Sequence, residues 1–578
     1  MPTKKKIEKK QNNFEDKILA YSLDNAILHD GKAQEGAVIG KLFQEGLKKE
    51  ELPKIIPIIK KIISEVNTLS ITKQKEKLES LSNLVVKKEH EERKELQELP
   101  NAIKGKVVLR LAPFPSGALH IGNTKTYMLN ALYAEKYDGK ILFIMDDTIG
   151  SEQKQLIPEA FKLIPEAFKW LNVKFEEPII YKSDRLDIYY KHAEELIKKG
   201  YAYVCYCNSE TLRNNRAKGI ECEHRKQKPQ DTLKEWKKMF SMKEGEACLR
   251  LKTSMQDKNP AFRDRVLFRI SEREHPRVGK RYSVWPMLEF SWAIDDHLLG
   301  ITHVIRGKDL MMESEMERFI WKIFNWKPCE LIHAGLVRIE GIEGIKISKS
   351  KAQSEVKSGK FIGWDDPRTW SVQSLKRRGI TAEAIREFIK GIGLNQNDII
   401  VPVDNLYSIN KKIIDSIAKR FFFVHNPVKI KINKSPKEIA HLNIIPNKED
   451  KKRKIPSNQE IYVSKHDYHE MKTGEMFRLM GLYNFIKENK GFEFHSKGIN
   501  TNFKAKYLHW LPGDKENEKN LVKVEILMPD GEPIFGLGEE GIKNLKVDDI
   551  VQFERMFYAR LDKIDKKTNT YYFWFMHK

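Results

Sequence analysis

Apolar residues recur at helical spacing over residues 52–66, where Ile55, Ile56, Ile58, Ile59, Ile62 and Ile63 predict an amphipathic helix. The next stretch, 72–99, is dense in Lys and Glu and suits a solvated helix. Residues 1 to about 100 therefore read as a charged helical domain. The period then changes. Val107-Val108-Leu109, a short apolar run after Gly105, predicts a buried strand. Pro113, Pro115 and Gly117 break it, and a helical pattern runs over 119–137. Residues 141–145, entered through Asp138-Gly139, predict a second buried strand. Strand, glycine turn, helix and strand begin an α/β parallel sheet. Residues 156–162 and 163–169 spell one heptad, LIPEAFK, in tandem. Seven residues make about two helical turns, so both copies can bury the same face, while their prolines oppose one smooth helix. From Asn426 the pattern turns β-like. Val428-Lys429-Ile430-Lys431-Ile432 alternates strictly, 521–527 runs into a Pro529-Asp530-Gly531 turn, and 571–575 is an aromatic strand. Residues 447–454 read as a basic loop. Short strands with turn signals suggest barrels or sandwiches.

Composition narrows the class. A chain of 578 residues exceeds one ordinary core, and the length prior gives roughly three or four domains. Charged residues make up 32% and the formal net charge is +23. That balance points to a polyanionic partner, nucleic acid before membrane, although Lys-rich chains are also simply soluble. No apolar run approaches the ~20 residues of a membrane span. The basic start, Met1 to Lys10, lacks a following apolar region and is no secretory signal. Five Cys make no disulfide framework in so long a chain. A reduced, cytoplasmic protein is expected.

Two segments carry chemistry. Arg110 to Asn123 reads RLAPFPSGALHIGN, a strand that ends in a proline and glycine turn before a helix starts. A helix N-terminus offers free N–H groups and partial positive charge to a phosphate. Gly122 lets an adenine ring or phosphate approach the backbone, and His120 can donate to a phosphate oxygen. Lys346 to Lys351, KISKSK, follows a glycine-punctuated turn. Its lysines can close over a triphosphate and neutralise charge on departing pyrophosphate. Alone, each segment also reads as a plain turn or a solvated basic loop.

Together they resemble the HIGH and KMSKS signatures of class I aminoacyl-tRNA synthetases. Gly363-Trp364-Asp365-Asp366-Pro367-Arg368 and Leu375-Lys376-Arg377-Arg378-Gly379-Ile380 resemble the block after KMSKS in the glutamyl and glutaminyl enzymes. Asp146-Asp147-Thr148 is similar to that family's aspartate-rich strand end, and Asp295-Asp296-His297 with 301–309 to its active-site strand and loop. Asn25-Ala26 and 36–41 are similar to the N-terminal extension of archaeal glutamyl enzymes. The resemblance implies a Rossmann-type catalytic domain, an N-terminal helical domain, a helical junction and C-terminal anticodon-binding β-barrels. The expected spans are 1–100 (helical), 101–345 (catalytic, with an acceptor-end-binding insertion near 180–275), 346–425 (KMSKS loop and junction) and 426–578 (barrels).

The resemblance also implies roles. His120, Asn123, Lys346 and Lys349 match the catalytic, ATP-binding positions, joined on ATP by Gly117, Gly122 and Ser348. Arg110 and Arg306 match carboxylate-binding arginines, and Asp146 the acid near the substrate ammonium. The fork of Arg306 would choose carboxylate over amide, and so glutamate over glutamine. The implied reaction is ATP- and Mg²⁺-dependent ligation of L-glutamate to tRNA(Glu) through an adenylate, with tRNA(Gln) open as a second acceptor. The competing readings are a glutaminyl enzyme and a degenerate tRNA-binding paralogue. Three positions depart from the family pattern. Asn123 replaces the second histidine of HIGH, Ile144 replaces an arginine, and Leu288 replaces a substrate-facing tyrosine. Separately, Cys205, Cys207, Cys222 and His224 can satisfy a structural tetrahedral Zn²⁺. The alternative is four reduced structural side chains.

Overall fold

A computed structural model describes residues 4–28, 31–45, 47–48, 50–81, 84, 95–149, 155–341, 349–446, 452–498 and 505–578. The chain divides into two compact units, Met1–Glu92 and Arg93–Lys578. The described part of the first unit holds the helices Lys4–Leu28, Glu35–Gln44, Leu52–Asn67 and Ile71–Leu81. Ile59 enters a core with Ile18, Tyr21, Val38 and Leu42, and Ile55, Ile58, Ile62 and Ile63 pack against it. The buried Gln74 amide donates to the Gly31 and Val66 carbonyls, 2.9 Å each, which ties the last helix to the bundle. The Lys/Glu-rich helix is shorter than its composition suggests. It ends at Leu81, and residues 95–98 are not helical. Most of the stretch between lies outside the described residues.

In the second unit, Val108–Leu111, Lys140–Met145 and Glu176–Tyr181 form a parallel sheet in that order. Such strands are buried on both faces, and this accounts for the nearly continuous apolar run at 141–145. The helix Ile121–Lys136 crosses between the first and second strands, and Ala160–Trp170 between the second and third. A Cβ on Gly139 would lie 2.6 Å from the Val107 carbonyl oxygen, so only glycine lets the second strand start against the first. On the other side runs His303–Gly307. Thr302 N–H donates to the Val108 carbonyl (3.0 Å) and Val108 N–H to Thr302 Oγ1 (2.8 Å). His303–Gly307 then pairs in parallel with Glu330–Ala334. The spatial order, third, second, first, fourth, fifth, is that of a Rossmann-type sheet, which binds ligands at the carboxyl ends of its strands.

The tandem heptads use one face for part of their length. Ile157 and Ile164 are both buried, as are Ala160 and Ala167. Only the last three residues of the first copy are helical, and Pro165 is accommodated inside the helix. Between the third and fourth strands of the parallel sheet sits an antiparallel one, Ala202–Cys205, Cys248–Leu251, Val266–Ile270 and Val284–Pro286.

The C-terminal part holds two seven-stranded sheets and one two-stranded sheet. One begins with Lys419–Phe421 and ends with Phe423–His425, and the other begins with Lys506–Leu508 and ends with Leu511–Pro512. Because the two edge strands of each sheet are consecutive in the chain, each sheet curls round to a barrel-like closure. The β region thus opens at Lys419, ahead of Asn426. Phe421 and Phe423 enter one core while Phe422 and Val424 enter the other. A period of two lets one short run serve both sheets. The basic loop expected at 447–454 is corrected in its described part. Lys452–Ser457 is a strand paired with Glu438–Asn443. Its Arg453 is buried against Glu539 (2.7 Å) and Glu554. Buried carboxylates need a counter-charge, so this arginine points inward.

The short helix Val372–Arg378 joins barrel to parallel sheet. Arg378 is fully buried. Its Nη2 donates to the Met576 carbonyl (2.8 Å) and Tyr407 hydroxyl (3.0 Å), and its guanidinium lies 4.8 Å from the Trp370 ring centre. Trp370 in turn accepts Ile121 N–H at 3.1 Å, and Val372 N–H donates to the Leu119 carbonyl at 2.8 Å. Truncation would leave buried acceptors unpaired and a void. Arg378→Ala should therefore destabilise the second unit by about 3 kcal/mol. Calorimetry should show its melting transition at lower temperature, and an unmoved transition would count against this strut.

Candidate active site

Four charged residues come from four neighbouring parallel strands, at or just beyond their carboxyl ends. Arg110 lies within Val108–Leu111 and Arg306 within His303–Gly307, while Asp146 and Lys182 directly follow Lys140–Met145 and Glu176–Tyr181. All four are buried. Arg110 forks onto both oxygens of Asp296, with Nη2 to Oδ2 at 3.1 Å. Burial works against its charge, but Asp296 outweighs burial and raises the pKa. Lys182 Nζ lies 3.2 Å from Asp146 Oδ1 and donates to Ser291 Oγ at 2.8 Å, and burial lowers its pKa. Lys182 thus brings a third buried cation to the site.

Arg306 is also engaged. Nη1 and Nη2 donate to the two oxygens of Glu317 at 2.8 and 3.0 Å, and Nε to Ser314 Oγ at 3.2 Å. A buried guanidinium needs a counter-charge, and Glu317 supplies it. Burial pushes the Glu317 carboxyl up to about 7.

The three cations share one neighbour that sequence reading missed. The Trp292 ring centre lies 4.8 Å from the Arg110 guanidinium, 5.1 Å from Lys182 Nζ and 5.0 Å from the Arg306 guanidinium. These are cation–π distances. Trp292 follows Leu288 by one turn on the helix Leu288–Leu298, and that offset was the available clue. The paired aspartates of the two DD motifs divide their work. Asp146 and Asp296 face the cations. Asp147 accepts from Ser183 N–H (2.9 Å) and Oγ (2.7 Å), while Asp295 accepts from Tyr189 (2.6 Å) and Arg185 (2.8 Å).

The other end of the site is the start of the helix Ile121–Lys136. His120 caps it, with Nδ1 accepting Gly122 N–H at 3.2 Å. That bond leaves the proton on Nε2, the tautomer a phosphate acceptor requires. A Cβ on Gly122 would sit 3.1 Å from the His120 ring and press on the capping imidazole. At Gly117, φ is +140° and a Cβ would lie 2.4 Å from the Trp364 ring. The close neighbour there is this indole. Asn123 Oδ1 is buried with no partner among the described residues. Lys125, not singled out from sequence, donates to the Gly335 carbonyl at 2.8 Å, and burial pushes its pKa down to about 8. Lys346 and Ser348 lie outside the described residues. Lys349 opens the helix Lys349–Lys357, and its side chain lies outside them too.

In the inserted unit, Cys205, Cys207, Cys222 and His224 converge, with ligand atoms all within 4.8 Å of one another. Cys205 Sγ is 3.7 Å from Cys222 Sγ and 3.8 Å from His224 Nδ1, and Cys207 Sγ is 3.7 Å from that nitrogen. A tetrahedron with Zn–S of about 2.3 Å has S···S edges of about 3.8 Å, so the donor set fits zinc. Arg250 Nη1 lies 3.7 Å from both Cys205 and Cys222 sulfurs, a donor suited to thiolates.

Comparison with known proteins bears on the whole chain. The family profile "tRNA synthetases class I (E and Q), catalytic domain" matches residues 106–416. The corresponding anticodon-binding profiles match 418–508 and 507–562. The glutamate–tRNA ligase of Methanocaldococcus jannaschii is 42% identical over 560 residues, covering 96% of this chain and 98% of that protein. That of Pyrococcus furiosus is 42% identical over 569 residues, covering 95% and 97%. The Rossmann-type sheet, the barrel-like tail and matches over nearly its full length establish that this chain belongs to the class I glutamyl/glutaminyl-tRNA synthetase family.

Proposed function

We propose that this chain joins L-glutamate to the 3′ end of tRNA(Glu) in the cytoplasm, using ATP and Mg²⁺. Its curated relatives carry the name glutamate–tRNA ligase. Among the described residues no helix is long and apolar enough to cross a membrane. The observation that carries the reading is a pair of buried arginines, Arg110 and Arg306, at the carboxyl ends of adjacent parallel strands. A substrate with two carboxylates suits two such groups.

The α-carboxylate oxygen attacks the α-phosphorus of ATP, forming the acyl phosphate bond while the bond to pyrophosphate breaks. The terminal ribose hydroxyl of tRNA then attacks the acyl carbon, its proton is lost, and AMP departs. Arg110 and Arg306 bind carboxylate, and Asp146 receives the ammonium. His120 and Asn123 hold the nucleotide at the helix N-terminus, and Lys346, Ser348 and Lys349 close on the phosphates. Most of the acceleration comes from positioning and charge neutralisation. Cys205, Cys207, Cys222 and His224 hold one structural zinc, far in sequence from the HIGH and KMSKS segments.

ATP–pyrophosphate exchange with tRNA present tests the assignment. Glutamate should support exchange and glutamine should not. Lys349→Ala should lower the rate about 10²-fold or more while the fold is kept. Absence of exchange would favour a tRNA-binding paralogue, and equal exchange with glutamine a glutaminyl enzyme. Charging of tRNA(Gln) in the same preparation would add a second acceptor. Elemental analysis of protein purified without chelators should find about one zinc per chain. Metal-free protein, or zinc that survives Cys207→Ser with Cys222→Ser, would reject that site.

A further inference from the structure

Arg250 is a buried cation that pairs with no carboxylate among the described residues. It stands on the strand Cys248–Leu251, in register with Tyr203 on one side and Val266 on the other, and is 1% exposed. Nε donates to the Asp264 backbone carbonyl at 2.9 Å, and Nη1 lies 3.7 Å from each of two sulfurs, Cys205 and Cys222. Nη2 has no partner among the described residues. The Asp264 carboxylate is already balanced. It accepts from Arg225 Nε at 2.9 Å, from the Tyr203 hydroxyl at 2.8 Å and from Thr253 N–H at 2.8 Å. A buried guanidinium requires a counter-charge, and the two sulfurs are the groups within its reach.

Cysteine supplies that charge as a thiolate, the form a metal ion also requires. Zn²⁺ held by the thiolates of Cys205, Cys207 and Cys222 and the neutral imidazole of His224 carries one surplus negative charge. Cys205 and Cys222 are buried, so that surplus sits in the protein interior. Arg250 carries one positive charge. The loaded centre and this arginine complete each other, and either alone is an uncompensated buried ion.

We infer that Arg250 is a positioning residue of the metal centre, which neutralises the surplus charge of the zinc–thiolate cluster and fixes Cys205 and Cys222 to an inner strand of the inserted sheet. The inference rests on the zinc reading of these four ligands. The same contacts fasten the cluster at both ends. Arg225, the residue after His224, holds the Asp264 carboxylate, while Arg250 holds the Asp264 backbone. The two thiolates and the imidazole are thereby tied to one buried residue.

Transfer of zinc from the full-length, zinc-loaded protein to EDTA reads metal affinity without recourse to activity. Arg250→Met keeps the apolar stem and removes the charge. It should weaken zinc retention about 10–100-fold, and a change under about threefold overturns the inference. Cys207→His separates charge from packing. It exchanges a thiolate that makes no hydrogen bond to Arg250 for an imidazole, which gives a Cys₂His₂ centre without surplus charge. In that background the cost of Arg250→Met should shrink at least about fivefold, and a smaller reduction overturns the inference, because packing does not depend on the charge of the centre. If Arg250→Met alone does not fold, the double variant should fold and hold zinc, and failure of both overturns the inference. If Cys207→His itself loses the metal, Arg250→Lys, which keeps the charge, decides. It must retain zinc within about threefold of wild type, and a larger loss overturns the inference. Wild-type protein that holds no zinc refutes the zinc reading itself. Zinc-loaded wild type whose affinity is indifferent to Arg250 refutes only the counter-ion role.

Discussion

Buried charge must be paired, and the candidate active site is organised around that requirement. An unpaired ion in this interior would cost several kcal/mol. Arg110 meets Asp296, Lys182 meets Asp146 and Arg306 meets Glu317, all six side chains being buried. Three positive and three negative groups surround one indole. The chain's net charge of +23 is therefore not concentrated here. The surplus lies elsewhere, where it suits a phosphate backbone.

Holding six charges at hydrogen-bond distance demands a stiff frame. The parallel sheet supplies it by presenting consecutive strand ends at one edge. The helix Leu288–Leu298 lays Ser291, Trp292 and Asp296 across that edge. The frame also extends to the tail. Residues 370–372 pair with 119–121 at the foot of the helix Ile121–Lys136, and Arg378 of the same segment anchors in the last barrel strand. One short segment thus touches both the barrel and the His120 cap.

Local pattern made the frame legible. The strand, turn, helix, strand order at 107–145 and the alternation at 428–432 follow from burial on two faces or on one. Arg110, His120 and Arg306 stood out because their motifs are contiguous. Trp292 did not, since a single tryptophan in an apolar helix face reads as core until the distances to three cations are known. Lys182 was equally silent, because its meaning depends on Asp146 one strand away. The run Phe421-Phe422-Phe423 could not reveal that its rings part between two cores. Arg453 read as loop charge because its partner Glu539 is remote in sequence. Residues whose role is set by long-range partners are the ones that periodicity cannot find.

A balanced site poses a problem for an acidic substrate, whose side-chain carboxylate would be a fourth negative group among three cations. Burial pushes the Glu317 carboxyl up to about 7, so on the proposed reading it takes a proton and releases Arg306 to the incoming carboxylate. The sign follows directly. Glutamate binding favours protonated Glu317, so it should take up a proton near and above pH 7, and affinity should fall as pH rises through that range. The direct measurement is calorimetric titration of glutamate into tRNA-bound protein at pH 7.5 in buffers of different ionisation enthalpy. This account predicts net uptake of a substantial fraction of one proton per glutamate, abolished in Glu317→Gln. Binding with no proton uptake, or uptake that persists in that variant, would contradict it.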